Sequence, residues 1–203
     1  MPRTPSDTRV RIALVIAYAG ATLYVVLMAV LHVVQPGLID DGTISKYALG
    51  PGGWMLQAAF IAAGAGYAGV ALLWSGARAI LSWVTAAAFL VMGLFVIDSV
   101  GPTEVVSIHG ALHTGAFFVV VLLTTVLMFL HRGRTDSAWL RTLPFLAPVL
   151  VLAGFFIPGL VGAVLFRAWT LSLVLWVILT ARELARAGRR GAASTPAHSI
   201  SGA

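Results

Sequence analysis

Six uncharged stretches constrain this chain more than any other feature. They cover residues 12–39, 47–77, 79–97, 105–131, 142–166 and 168–181, with lengths of 28, 31, 19, 27, 25 and 14, together 144 of 203 positions. A helix rises 1.5 Å per residue, so crossing a hydrocarbon core of about 30 Å takes roughly 20 residues. Five runs come close to that length unaided, and the sixth reaches it with its flanks. The runs lack the polar/apolar alternation of a barrel strand, and lipid offers no partner to an open backbone, so they are expected to be helices. Spans are expected near 10–34, 54–74, 78–99, 106–131, 142–157 and 161–186. The fold class is all-α: a polytopic bundle of six transmembrane helices.

Composition agrees. Only 10% of residues are charged, against about 25% in an average soluble domain, and 60% are hydrophobic. No cysteine is present, which removes disulfides, thiolate nucleophiles and thiolate metal sites. One domain is expected over residues 1–187, followed by a small-residue and polar tail, 188–203, that cannot bury a core and is expected to be disordered.

The net charge of +6 does not indicate nucleic acid, because its placement follows topology. With the N-terminus cytoplasmic, eleven basic residues lie inside and two, Lys46 and Arg167, outside. That bias puts both termini in the cytoplasm, with the lipid bilayer as partner. The run of 28 after Arg9 and Arg11 is too long for a signal-peptide core, so the first helix is read as uncleaved. Twelve arginines to one lysine suggest a bacterial source, and hence the plasma (inner) membrane. Tyr47, Trp54, Trp74, Trp83, Trp139 and Trp169 fall near span ends and read as interfacial anchors. Ala58, Ala62 and Gly66, with Ala65 and Gly69 beside them, read as a close-packing stripe on the second span.

Ionisable groups inside spans are costly and carry the functional signal. His32, Gln57, Asp98, His109, His113 and Arg167 all fall at outer span ends. His131, at the inner side, is read as part of the solvated basic loop, and Gln57 as an interhelical hydrogen bond. His109-Gly110-Ala111-Leu112-His113 sets two imidazoles at i and i+4, the spacing with which one helix offers two ligands to zinc. A hairpin through Gly101-Pro102 would bring Asp98 beside them, and His32 and Arg167 lean toward the same depth. Otherwise Arg167 would snorkel, or pair with Asp98 or Glu104. The long first outer loop, residues 35–53, carries Asp40-Asp41-Gly42 and Ser45 and reads as either a lid or a tether.

Several segments resemble a prokaryotic membrane family catalogued as domain of unknown function 998. They are Ile44-Ser45, then Leu49-Gly50-Pro51-Gly52-Gly53-Trp54, Gly93 to Asp98, His109 to His113, and Gly162 to Arg167. The likeness spans about residues 12–187 and implies six helices without established chemistry. Lys46-Tyr47-Ala48 and Val96-Ile97 depart from its pattern. The Ser, Asp and His inventory is also similar to that of the alkaline ceramidase and adiponectin-receptor superfamily, which differs in helix count and carries its HxxxH in the last span.

Three functions are therefore expected as alternatives. The first is a metal-dependent hydrolase of a lipid-like substrate, with zinc on His109, His113, Asp98 and His32, and Arg167 stabilising anionic charge. The second is a b-type haem protein, with His32 and His109 or His113 as axial ligands. The third is a non-enzymatic binding or assembly subunit whose polar cluster is structural.

Overall fold

The computed structural model describes residues 7–39, 43–98 and 106–193. Asp40, Asp41, Gly42, Gly101, Pro102 and Glu104 lie outside the described residues. Those described contain six α-helices and no strand. The helices are α1 (Asp7–Val34), α2 (Trp54–Leu73), α3 (Ala77–Leu94), α4 (Ile108–Arg132), α5 (Ala138–Phe156) and α6 (Gly159–Ala193). Each is long and apolar enough to cross a membrane, so this is an integral membrane protein. The last helix runs past residue 188, where the tail was expected to begin. Residues 194–203 lie outside those described.

Neighbours in sequence pack as neighbours in space, and α2 and α6 also meet each other and α1. Over their most apolar windows α2 and α6 are 56% buried, against 33–39% for the other four, which makes them the central pair. Lipid tails are as apolar as the helices, so association depends on close contact rather than on water exclusion. Gly20 of α1 faces Ala62 and Gly66 of α2, and Gly69 of α2 faces Ala13 and Ala17 of α1, in each case backbone against backbone. The small-residue stripe thus lies in the α1–α2 seam. Aromatic rings fill the wider gaps: Phe117 of α4 meets Phe155 of α5 and Phe166 and Trp169 of α6.

Several sequence expectations need correction. Trp54, Trp83 and Trp139 are exposed, as anchors should be, whereas Tyr47, Trp74 and Trp169 are buried core residues. Proximity to a span end did not distinguish ring positions facing lipid from those facing the bundle. The Gln57 side chain is half-buried and makes no hydrogen bond among the described residues. His131 is not solvated: it is 2% exposed, and its Nε2 lies 3.1 Å from Glu183 Oε2. Finally, α3 ends at Leu94, so Asp98 stands beyond the helix in an extended segment.

Candidate functional site

One end of the bundle gathers the polar residues singled out above, and the connection between α1 and α2 organises them. This segment begins with the short 3-10 turn Pro36–Leu38 and ends with the longer turn Ile44–Leu49. Ile44, Ser45 and Tyr47 of the second turn are buried, so it sits in the bundle mouth as a lid and not as a loose tether. Gln35 fixes its far side, donating from Nε2 to Tyr47 O at 3.0 Å and to Pro51 O at 2.7 Å.

Two polar pairs hang from this turn. In the first, Ser45 Oγ lies 2.9 Å from His113 Nε2, while His113 Nδ1 lies 2.8 Å from Phe95 O. A carbonyl only accepts, so Nδ1 carries the hydrogen. In the neutral ring Nε2 is then the lone pair, placed to accept the Ser45 hydroxyl proton. The second pair is built on Arg167. Its Nε donates to His32 Nε2 at 2.6 Å, Nη1 to Ala163 O at 2.9 Å, and Nη2 to Leu38 O at 3.1 Å and to the Tyr47 hydroxyl at 3.3 Å. His32 Nδ1 lies 2.6 Å from Met28 O, so the same reasoning makes His32 a neutral Nδ1–H tautomer. Arg167 therefore ties α1, both turns and α6 together.

Asp98 and His109 occupy the rim instead. Asp98 accepts from Ser107 N at 2.7 Å and from Ser107 Oγ at 2.6 Å, and Ser107 Oγ in turn accepts from Gly110 N at 3.1 Å, capping α4. The carboxylate packs where a side chain on residue 110 would be, so any larger residue there would displace Asp98 from this cap. His109 is exposed, edge-on to Phe95 at 5.3 Å. The expected convergence is thus divided: His32 meets Arg167, His113 meets Ser45, and Asp98 meets Ser107. Ser45 and Tyr47 emerge as central to this arrangement. In the sequence the serine stood in the first outer loop and in a segment carrying the family resemblance, without an assigned role, and the tyrosine only as an anchor.

The Ser107 hydroxyl, followed by its backbone N–H, holds the Asp98 carboxyl below the usual carboxylate range. A lowered folded value contributes stability that is complete above the ordinary pKa of about 4 and is lost as pH falls through the depressed one. Thermal midpoints measured at pH 7 and pH 3 should therefore fall less in Asp98→Asn than in the wild type. Equal falls would show that this cap does not titrate with folding.

Among the described residues no three of His, Asp and Glu gather within ligating reach. Both nitrogens of His113 and both of His32 are engaged by protein groups, and Ser107 occupies the Asp98 oxygens. Beneath the turn a narrow void of about 30 Å³ enters the bundle among α1, α2, α3, α4 and α6. Apolar side chains make most of its wall, with Ser45, Tyr24, Tyr67 and Thr170 as the polar exceptions. It has room for one or two waters, and the Tyr67 hydroxyl, buried without a protein partner, has the chemistry to bind one.

The profile of the family described as Protein of unknown function (DUF998) matches residues 18–183, and the chain belongs to that family. Comparison with curated proteins and with solved structures gave no match.

Proposed function

We propose that this membrane protein is a hydrolase of a lipid-like ester, with Ser45 as nucleophile and His113 as general base. The observation that carries this reading is the 2.9 Å contact from Ser45 Oγ to a His113 Nε2 whose lone pair is fixed by Phe95 O on the other nitrogen. Nucleophile, base and orienting group in that order form the minimal constellation for acyl transfer. The positive-inside bias of the sequence supports an extracytoplasmic position for this end, where the ester groups of membrane lipids would be within reach.

In the proposed step Ser45 Oγ attacks the acyl carbonyl while its proton passes to His113 Nε2. The carbon–oxygen bond to the alcohol then breaks, and His113 returns the proton to the leaving oxygen. Water repeats the sequence on the acyl-serine, releasing the acid and restoring Ser45. Ser45 is 8% exposed, so the turn must lift for substrate to enter.

That same burial favours a second reading, in which the pair only fastens the turn. A fluorophosphonate probe separates the two. The hydrolase reading expects labelling on Ser45, none in Ser45→Ala, and labelling slowed about a hundredfold or more in His113→Ala. Absence of label in the wild type, with a lowered thermal midpoint in Ser45→Ala, would leave only the fastening role.

A further inference from the structure

At the opposite end of the bundle, the helix ends and the α4–α5 connection surround a cleft of about 540 Å³, within the range of sites that hold small ligands. Arg78 of α3, Arg134 after α4, and Arg182 and Arg186 one turn apart on α6 all line it. The only carboxylates in the lining are Asp136 and Glu183, which leaves an excess of two positive charges. Glu183 is already held, with Oε2 3.1 Å from His131 Nε2 and Oε1 accepting from Asp136 N at 3.4 Å.

Among the described residues none of the four guanidiniums pairs with a carboxylate. Arg78 lies over the Trp74 ring at 5.5 Å, an engagement that leaves its N–H groups free to meet an anion, and two other arginines at this end are also engaged. Arg132 lies over the Phe145 ring at 4.6 Å, and Arg141 donates to Asp136 O at 3.4 Å. Topology alone requires basic residues at this end but does not require four of them to converge on one cavity. Like charges gathered at a cleft repel one another unless an anion joins them. His131 Nδ1, from the same lining, is a further buried polar atom without a protein partner. Leu140, Leu179 and Leu184 give the cleft an apolar wall beside its charges, as an amphiphile would need.

We propose that this cleft binds a phosphate group between Arg78, Arg134, Arg182 and Arg186, carried by an anionic lipid headgroup or by free phosphate. Guanidinium forks match phosphate oxygens in geometry and charge, and an excess of two positive charges suits a phosphate monoester.

The test uses the full chain in phosphatidylcholine nanodiscs, with phosphatidic acid or inorganic phosphate added and binding read by native mass spectrometry. One phosphatidic acid per protein is expected to be retained over phosphatidylcholine, with affinity about tenfold or more weaker in Arg134→Gln/Arg182→Gln and unchanged in Arg141→Gln. Binding of inorganic phosphate with the same dependence on these arginines, and no preference for phosphatidic acid, would identify the free anion as the source. Should the double variant fold poorly, Arg186→Gln on the exposed face of α6 is expected to weaken binding severalfold. Retention of both lipids alike with no phosphate bound, or affinity unchanged in these variants, would overturn the proposal.

Discussion

Gly20→Ala is expected to lower the thermal midpoint of the protein by roughly 10 °C, and Gly20→Val to prevent recovery of a monodisperse bundle. The new Cβ would collide with Ala62 O and lie 2.6 Å from Gly66 N, and both atoms belong to the α2 backbone. A side chain could rotate away, but a helix backbone yields only by moving the whole helix. Overpacking of a tight core costs about 1–3 kcal/mol and occasionally more, and at roughly 2–4 °C per kcal/mol the upper end gives the stated fall. The α1–α2 seam has no hydrophobic driving force in lipid to offset the lost contact. Gly115→Ala supplies the control. Gly115 is exposed on α4 with nothing within 4 Å of the added carbon, so helix propensity should stabilise it by about 0.5–1 kcal/mol. A Gly20→Ala midpoint equal to that of the wild type would show that α1 and α2 pack less closely than described.

The α2 side of that seam was legible because Ala62, Gly66 and Gly69 fall at helical spacing, though not its partner α1, and the spans were legible because lipid forces long uncharged helices. The candidate site was legible only in part, for a physical reason. His113 and Arg167 stood out as costly groups in apolar runs, but their partners arrive from far along the chain: Ser45 is 68 positions from His113, and Tyr47 is 120 from Arg167. Both partners lie in a loop whose polarity suits a solvated tether equally well, and neither breaks a periodic pattern. The i, i+4 histidines mark the limit of spacing arguments. One turn separates them, and at the end of a bundle that turn divides a buried ring from an exposed one. His131 failed differently. It borders a basic loop, and its burial depends on Glu183, 52 positions on, which in sequence looks like one more solvated charge.

Removing the guanidinium of Arg167 should loosen the whole mouth of the bundle, and Arg167→Met is the variant that preserves most of the side-chain volume. The wild-type group satisfies Leu38 O, the Tyr47 hydroxyl and His32 Nε2 at once, on three separate elements. Leaving a buried polar group unpaired costs about 1–3 kcal/mol; Tyr47 is buried, whereas His32 and Leu38 are half-buried and keep some access to water, so the expected loss is about 2–3 kcal/mol. Arg167→Lys is expected to recover less than half of this, because an ammonium is a compact charge without the planar fork needed to reach His32 and Leu38 together. The loss should be local. The turn Ile44–Leu49 is held by Gln35, Ser45 and Tyr47, and removing the Tyr47 tie raises the population of lifted conformers without unfolding the helices. Tryptic cleavage after Lys46 at low protease should therefore accelerate about tenfold or more in Arg167→Met while helical circular dichroism is unchanged, since cleavage tracks the open population. Unchanged cleavage with a lowered global midpoint would place Arg167 in the helix packing alone. Faster cleavage with faster fluorophosphonate labelling of Ser45 would make the same arginine the latch over the proposed nucleophile.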